Sequence, residues 1–202
     1  MEKYVATASH SLVGMTSATS APDHSVSQLI HCEGPVERIG DRAILRLPAE
    51  ASAALPSRGQ VAVKATLNGH GIDTVIEPDG RRGHWLAIDD GLWEALALSD
   101  GQRLALELEP TKDWPEPDLP TDFQTALADA PDLSETWQSI TTMARWEWVR
   151  WINATKNPQT RQRRVDVGIS KLRSGKRRPC CFDLASCTDP DLSKSGKLVD
   201  IG

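Results

Sequence analysis

Between residues 60 and 77 the chain reads QVAVKATL, then Asn68-Gly69, then HGIDTVIE, and this stretch restricts the fold more than any other. Both central residues of a type I′ turn need positive φ, which Asn tolerates and Gly favours, and alternating runs flank the pair. A two-residue loop also fixes the register. Val61, Val63, Ala65 and Leu67 share a face with His70, Ile72, Thr74 and Ile76, so one side of the hairpin is core.

Neighbouring segments supply more short strands. The ordered part opens near Ser27 with SQLIHCEGPVERIG and turns at Gly40-Asp41; Ala43, Leu45 and Leu47 then alternate with Ile44 and Arg46 until Pro48 ends the run. HWLAID and GQRLALELE follow, the second pointing Leu104, Leu106 and Leu108 one way. Short helices fit AEASAAL and DDGLWEALAL, the latter opened by Asp89 or Asp90. Close-spaced short strands with small helical inserts predict a compact barrel over 28–110 in preference to a layered α/β sheet.

A change of composition follows. PTKDWPEPDLP carries four prolines, cannot form a helix and reads as a semi-rigid linker at 111–118. Beyond it, TDFQTALADA and DLSETWQS read as short helices opened by Thr121 or Asp122 and by Asp132 or Ser134. Thr141 or Thr142 caps a third helix running to about Thr155, with Ala144, Trp148, Val149, Trp151 and Ile152 on an apolar side and Trp146, Glu147, Arg150 and Asn153 on a polar one. Asn157 caps a fourth, Pro158 takes its first position and Gly175 stops it. The expectation is an α+β protein: a disordered lead at 1–27, a small barrel, the linker, a helical domain at 119–178 and a cysteine-containing tail at 179–202.

Charge is segregated along this plan. The net charge is −5, yet residues 145–178 hold 11 of the 23 basic residues and only two of the 28 acids. A dedicated nucleic-acid protein is usually basic over a whole domain, so phosphate affinity here would be local. Arg161, Arg164 and Lys171 lie along one flank of the fourth helix around Gly168, where no side chain would obstruct an approaching group. Trp146 and Arg150 from the third helix, and Lys176, Arg177 and Arg178 beyond the fourth, extend the patch. Guanidinium forks suit phosphate or carboxylate, and an indole can stack on a ring. The same pattern also describes an ordinary solvated face, and cations bridged to the chain's own acids would favour that plainer reading. The docking reading allows three partners: a small phosphorylated or carboxylated ligand held between the domains, nucleic acid, or a protein that contacts the acidic barrel.

The loop from Glu77 to His84 is a secondary candidate. Backbone N–H groups around Gly80 and Gly83 suit an anion nest, with Arg81 and Arg82 adding charge. Acid–base work by His84 with Asp79 or Glu77 lacks an accompanying nucleophile or metal set. No nucleophile elbow, Walker-type phosphate loop or HExxH helix occurs, so a non-enzymatic reading leads. The alternative is a thiol-dependent redox switch or enzyme at Cys180 or Cys181, whose thiolates the preceding Lys176, Arg177 and Arg178 would favour. Cys180, Cys181 and Cys187, even with Cys32 or His31, lack the paired spacing of structural zinc, so neither a metal nor another cofactor is expected. No run reaches the ~18 apolar residues a membrane span needs, and the first 27 residues lack a signal-peptide pattern. Four cysteines, two of them adjacent, make a poor disulfide framework, which points to the cytoplasm.

Longer blocks carry a resemblance. TALADAP, WQSITTMARWEWVRWI, ATKNPQTRQRRV and SKLRSGKRRPCCFD together resemble the bacterial YdeI/OmpD-associated, or bacteriocin-protection, family. GPVERIG, VKATLNGH and IEPDGRRGHW are similar to the small barrel of unknown function that often precedes it, so that the resemblance covers roughly residues 28–190. It implies a double-split β-barrel, in the outline shared with AbrB- and MazE-like transcription factors, followed by a helical domain, and a role in stress or antimicrobial-peptide tolerance. It implies no catalytic residues, and the PCCFD segment extends beyond the family's common core.

Overall fold

The Asn68-Gly69 turn forms with φ of 47° and 87°, and the register it imposes pairs Leu67 with His70, Ala65 with Ile72 and Val61 with Ile76. These are β3 (Val61–Leu67) and β4 (His70–Pro78) of a computed structural model that describes residues 28–180 and 183–200. The expected lead at 1–27 and the redox candidate Cys181 lie outside the described residues.

With β1 (Ile30–Ile39), β2 (Arg42–Arg46), β5 (His84–Ile88) and β6 (Arg103–Pro110), the hairpin closes into a barrel in the order β1-β2-β5-β4-β3-β6. β1 pairs with β6 from Ile30 to Pro35 and with β2 from Val36 to Ile39. β4 likewise pairs with β3 up to Ile76 and with β5 at Glu77 and Pro78. Two long strands that each divide their length between two neighbours give the double-split arrangement. Where β1 changes partner, a Cβ on Gly34 would stand 2.9 Å from the Arg46 carbonyl oxygen, so the close approach there requires glycine. Leu67, Ile76, Leu86, Leu104 and Leu106 fill the interior. Ala51 in α1 (Ala49–Ala54) and Leu92 in α2 (Asp90–Ala95) join that core, and the Asp89 carboxylate caps α2 by accepting from the Leu92 N–H at 2.7 Å.

The second core belongs to α3 (Thr121–Ala128), α4 (Ser134–Ser139), α5 (Thr142–Asn153) and α6 (Pro158–Arg173). Thr141 Oγ1 accepts from the Ala144 N–H at 3.3 Å to open α5, and Asn157 Oδ1 accepts from the Thr160 N–H at 2.9 Å to open α6. The expected caps on the two shorter helices do not form. α3 has Pro120 at its N-cap position and α4, after a single 3-10 turn at Pro131–Leu133, has Leu133, and neither side chain can accept a hydrogen bond; Asp122 accepts from the Phe123 N–H at 2.9 Å and pairs with Arg161, and Asp132 pairs with Arg173. Phe123, Trp148, Ile152 and Leu172 are fully buried between the helices.

Residues 183–200, in which the sequence shows no periodicity, fold back over the barrel's outer face. Cys187, Leu192 and Leu198 pack on Ile44 and Trp85, a third apolar cluster. A small hairpin, β7 (Ser193–Lys194) with β8 (Lys197–Leu198), is pinned when Leu198 N–H donates to the Asp79 carbonyl oxygen at 2.8 Å. This cover accounts for the apolar residues on both faces of β2. Among the described residues no helix is long and apolar enough to cross a membrane.

Candidate functional site

Most of the expected polar side of α5 is covered, with Asn153 alone of its four residues exposed. Glu147 and Arg150 retain 5% and 6% of their surface, because this side faces the barrel and the returning tail. Arg150 Nε lies 3.0 Å from Glu77 Oε2, its Nη1 donates to the Leu184 carbonyl oxygen at 3.1 Å and its Nη2 donates to that of Ser186. Gln60 Nε2 donates to the other Glu77 oxygen at 2.6 Å. Burial raises the Glu77 carboxyl above its ordinary value even though Arg150 opposes the shift.

Beside this pair, β4, β5, α5 and the tail enclose a cleft of about 220 Å³. Thr74, Glu77 and Trp85 line it from the barrel, Trp146 and Arg150 from α5, and Asp189 from the tail. Arg42 stands in the same wall, its side chain 47% exposed, with Nη2 on Asp189 at 2.7 Å. The indole N–H of Trp85 donates to the Pro78 carbonyl at 3.1 Å and that of Trp146 to the Pro115 carbonyl at 2.6 Å, so both rings offer the cleft apolar surface. An adjoining hollow shares Arg42, Asn153 and Asp189 and adds Lys156 and Arg161. There Lys156 pairs with Asp191, and Arg161 forks onto Asp122 at 2.5 and 2.9 Å and reaches Asn153 Oδ1 at 3.0 Å. Hydrogen bonds from Arg161 hold the Asp122 carboxyl below its usual value.

The basic residues singled out from the sequence therefore divide. Trp146, Arg150 and Arg161 come to the cleft and its adjoining hollow. Arg164 instead donates to the Trp151 carbonyl oxygen at 2.6 Å, and its guanidinium and the Lys171 ammonium lie 5.6 and 5.5 Å from the centre of the Trp151 ring. Lys171 also contacts the Cys180 sulfur at 2.7 Å. Arg178 is bridged to Glu147, while Lys176 and Arg177 are exposed. The open groove expected at Gly168 is absent. That residue is buried, and a Cβ on it would touch the Phe123 ring at 3.6 Å and Trp148 at 3.9 Å, so the glycine serves helix packing.

In the secondary loop the backbone donors face an anion supplied by the loop itself. Asp79 Oδ1 accepts from the N–H groups of Arg81 and Gly83 at 2.6 and 2.8 Å. Arg81 pairs with Asp200 at 2.9 Å, and the Arg82 carbonyl oxygen accepts from Arg58 at 3.3 Å. His84 is buried away from Asp79 and Glu77 as hydrogen-bond partners. Its Nδ1 lies 2.6 Å from Ser52 Oγ and its Nε2 lies 3.1 Å from the Gly59 carbonyl oxygen, so Nε2 carries the proton and Nδ1 accepts from the serine. The acid–base grouping of His84 with those carboxylates is thus not assembled. Burial pushes the Cys187 thiol up to about 11, Cys32 packs on the barrel core, and among the described residues no cluster of His, Cys, Asp or Glu is placed to hold a metal ion.

Arg42, Trp85 and Asp189 escaped the sequence reading. One signal was present: α5 carries tryptophan on both sides, and β2 carries Ile44 on the face opposite Leu45, so each element needs cover on two faces. What provides the cover lies far along the chain.

Residues 28–108 match the domain of unknown function DUF1905, and residues 116–175 match the family described as bacteriocin-protection, YdeI or OmpD-associated. No curated protein matches the chain. The first match spans the barrel and the second spans the helices that form the cleft's far wall, so the helical region is similar to the bacteriocin-protection, YdeI or OmpD-associated family and the barrel to the DUF1905 domain.

Proposed function

We propose that this protein is a binding module rather than an enzyme, and that it holds a small carboxylate-bearing ligand in the cleft between barrel and helices. The observation that carries this reading is the state of the cations along the cleft. Arg42 and Lys156 are 47% and 63% exposed and, among the described residues, pair with the tail acids Asp189 and Asp191. Lys156 and Asp191 form an exposed pair that holds weakly, ~0–1 kcal/mol, so a ligand carboxylate can take the place of Asp191 at little cost, while Arg42, whose partner Asp189 is 16% exposed, has further N–H groups to offer a ligand. The rings of Trp85 and Trp146 suit the ligand's apolar part. A cleft of about 220 Å³ fits a metabolite and does not admit a nucleic-acid duplex.

Calorimetric titration with a series of small carboxylic acids tests the reading, with single-stranded DNA as a second arm. Saturable binding of an acid is expected, weakened about tenfold or more by Arg42→Ala with Lys156→Ala. DNA binding without acid binding, or an unaffected double variant, overturns it.

A second reading rests on the contact between Lys171 and the exposed Cys180. An ammonium beside sulfur stabilises negative charge on it and suits a peroxide-sensitive thiol. Intact mass before and after peroxide treatment checks this: wild type should gain oxygen that Cys180→Ser does not, and equal gains by the two proteins dispose of the idea.

A further inference from the structure

The cleft contains a feature that a simple anion site does not need. Its lining holds two guanidinium groups, Arg42 and Arg150, and two carboxylates, Glu77 and Asp189, so a ligand bearing only negative charge would upset a balanced set. The two pairs also differ in depth. Arg42 and Asp189 are 47% and 16% exposed, whereas Arg150 and Glu77 are 5% and 17% exposed.

Glu77 is the member whose charge is least well served. Arg150 spreads its guanidinium over Glu77 and two backbone carbonyls, so the carboxylate receives a side-on contact through Nε where a fork would give two. Gln60 adds one neutral donor. Each carboxylate oxygen accepts two hydrogen bonds, so both retain capacity for a further donor. The raised pKa of Glu77 agrees with an anion whose compensation is incomplete. At the outer position, Arg42 gives Asp189 a single 2.7 Å contact through Nη2, and its planar fork has further N–H groups to offer.

We infer that the ligand is a zwitterion of amino-acid size, its carboxylate on Arg42, its ammonium on Glu77 and its apolar body against Trp85 and Val149. An ammonium brings three donors and a full positive charge to a carboxylate that has one cation beside it. The carboxylate, in turn, takes the N–H groups of Arg42 that Asp189 leaves open. With both indole N–H groups committed to backbone carbonyls, the wall between the charged ends is apolar and favours a hydrocarbon or aryl side chain. This assignment rests on the carboxylate reading above and adds the amine.

The full chain is titrated calorimetrically with L-phenylalanine, with hydrocinnamate, which lacks the amine, and with phenethylamine, which lacks the acid; L-leucine, isocaproate and isoamylamine form a second set. The zwitterion of at least one set should bind about tenfold or more tighter than either of its halves. Glu77→Gln should bring zwitterion and acid to within about twofold of each other, while Arg42→Ala should weaken both together. Acid binding equal to that of the zwitterion overturns the ammonium assignment and leaves the carboxylate reading standing. Amine binding equal to that of the zwitterion overturns the carboxylate reading, and absence of binding by every probe overturns both. Because the comparison among ligands uses the wild-type chain, it decides the matter even if Glu77→Gln fails to fold.

Discussion

The barrel interior and the seam between barrel and helices both bury chain, but with opposite materials. Inside the barrel, Leu67, Ile76, Leu104 and Leu106 interlock with no charge among them, at positions set by the strand ladder. At the seam the named contacts are Arg150 with Glu77, Arg42 with Asp189 and Lys156 with Asp191, joining barrel, helices and tail. Apolar packing has no partner that a polar solute can replace, whereas an exposed ion pair can be exchanged for a dissolved one. The contrast places exchangeable ion pairs at the seam and cohesion in the barrel, although one pair at the seam, Arg150 with Glu77, is buried deeply enough to act as structure.

The largest expected effect probes that exception. Arg150→Ala leaves the Glu77 carboxylate buried without its guanidinium and should destabilise the fold by about 3–5 kcal/mol in urea denaturation. Glu77→Gln with Arg150→Met should recover most of the loss, since removing both charges leaves neither stranded. A loss under about 1 kcal/mol from Arg150→Ala would put the pair among ordinary surface contacts and erase the distinction drawn here.

Smaller, and on the barrel side, is the pH response of His84. Burial depresses its folded-state pKa, so its contribution is complete above the ordinary imidazole value of ~6.5 and is lost as pH falls below it. The melting temperature of wild type should therefore drop more steeply from about pH 7 to about pH 5 than that of His84→Gln. Parallel curves would show that the buried imidazole carries no such linkage.

The smallest effect is expected at Arg173, which forks onto Asp132 at 2.6 and 2.9 Å with both side chains about half exposed. Arg173→Ala should leave the melting curve unchanged, because water screens the pair. A clear shift would mean that solvent-exposed forks also stabilise this protein, and the contrast between seam and surface would fail.

How much of this was legible follows the reach of each interaction along the chain. The Asn68-Gly69 turn, its register, the Asn157 cap and the alternating leucines of β6 are local, and the sequence states them directly. The fate of the basic segment was not local. Arg161 meets Asp122 across 39 residues and Arg178 meets Glu147 across 31, and no spacing rule identifies such partners. The same holds for Gly168, where an absent side chain reads equally well as an opening or as close helix packing, and only the position of Phe123 decides. The tail offered no periodicity because its apolar residues are sparse, and they bury themselves on β2 and β5 instead of on each other alone.

The returning tail has a consequence for biosynthesis. Asp189 contributes to the cleft wall, and the carbonyls of Leu184 and Ser186 fasten Arg150, yet these residues emerge from the ribosome only after the barrel and the four helices of the second core. A nascent chain can complete both of its large cores while the cleft still lacks the wall that Asp189 supplies, so the cleft takes shape later in translation than either core.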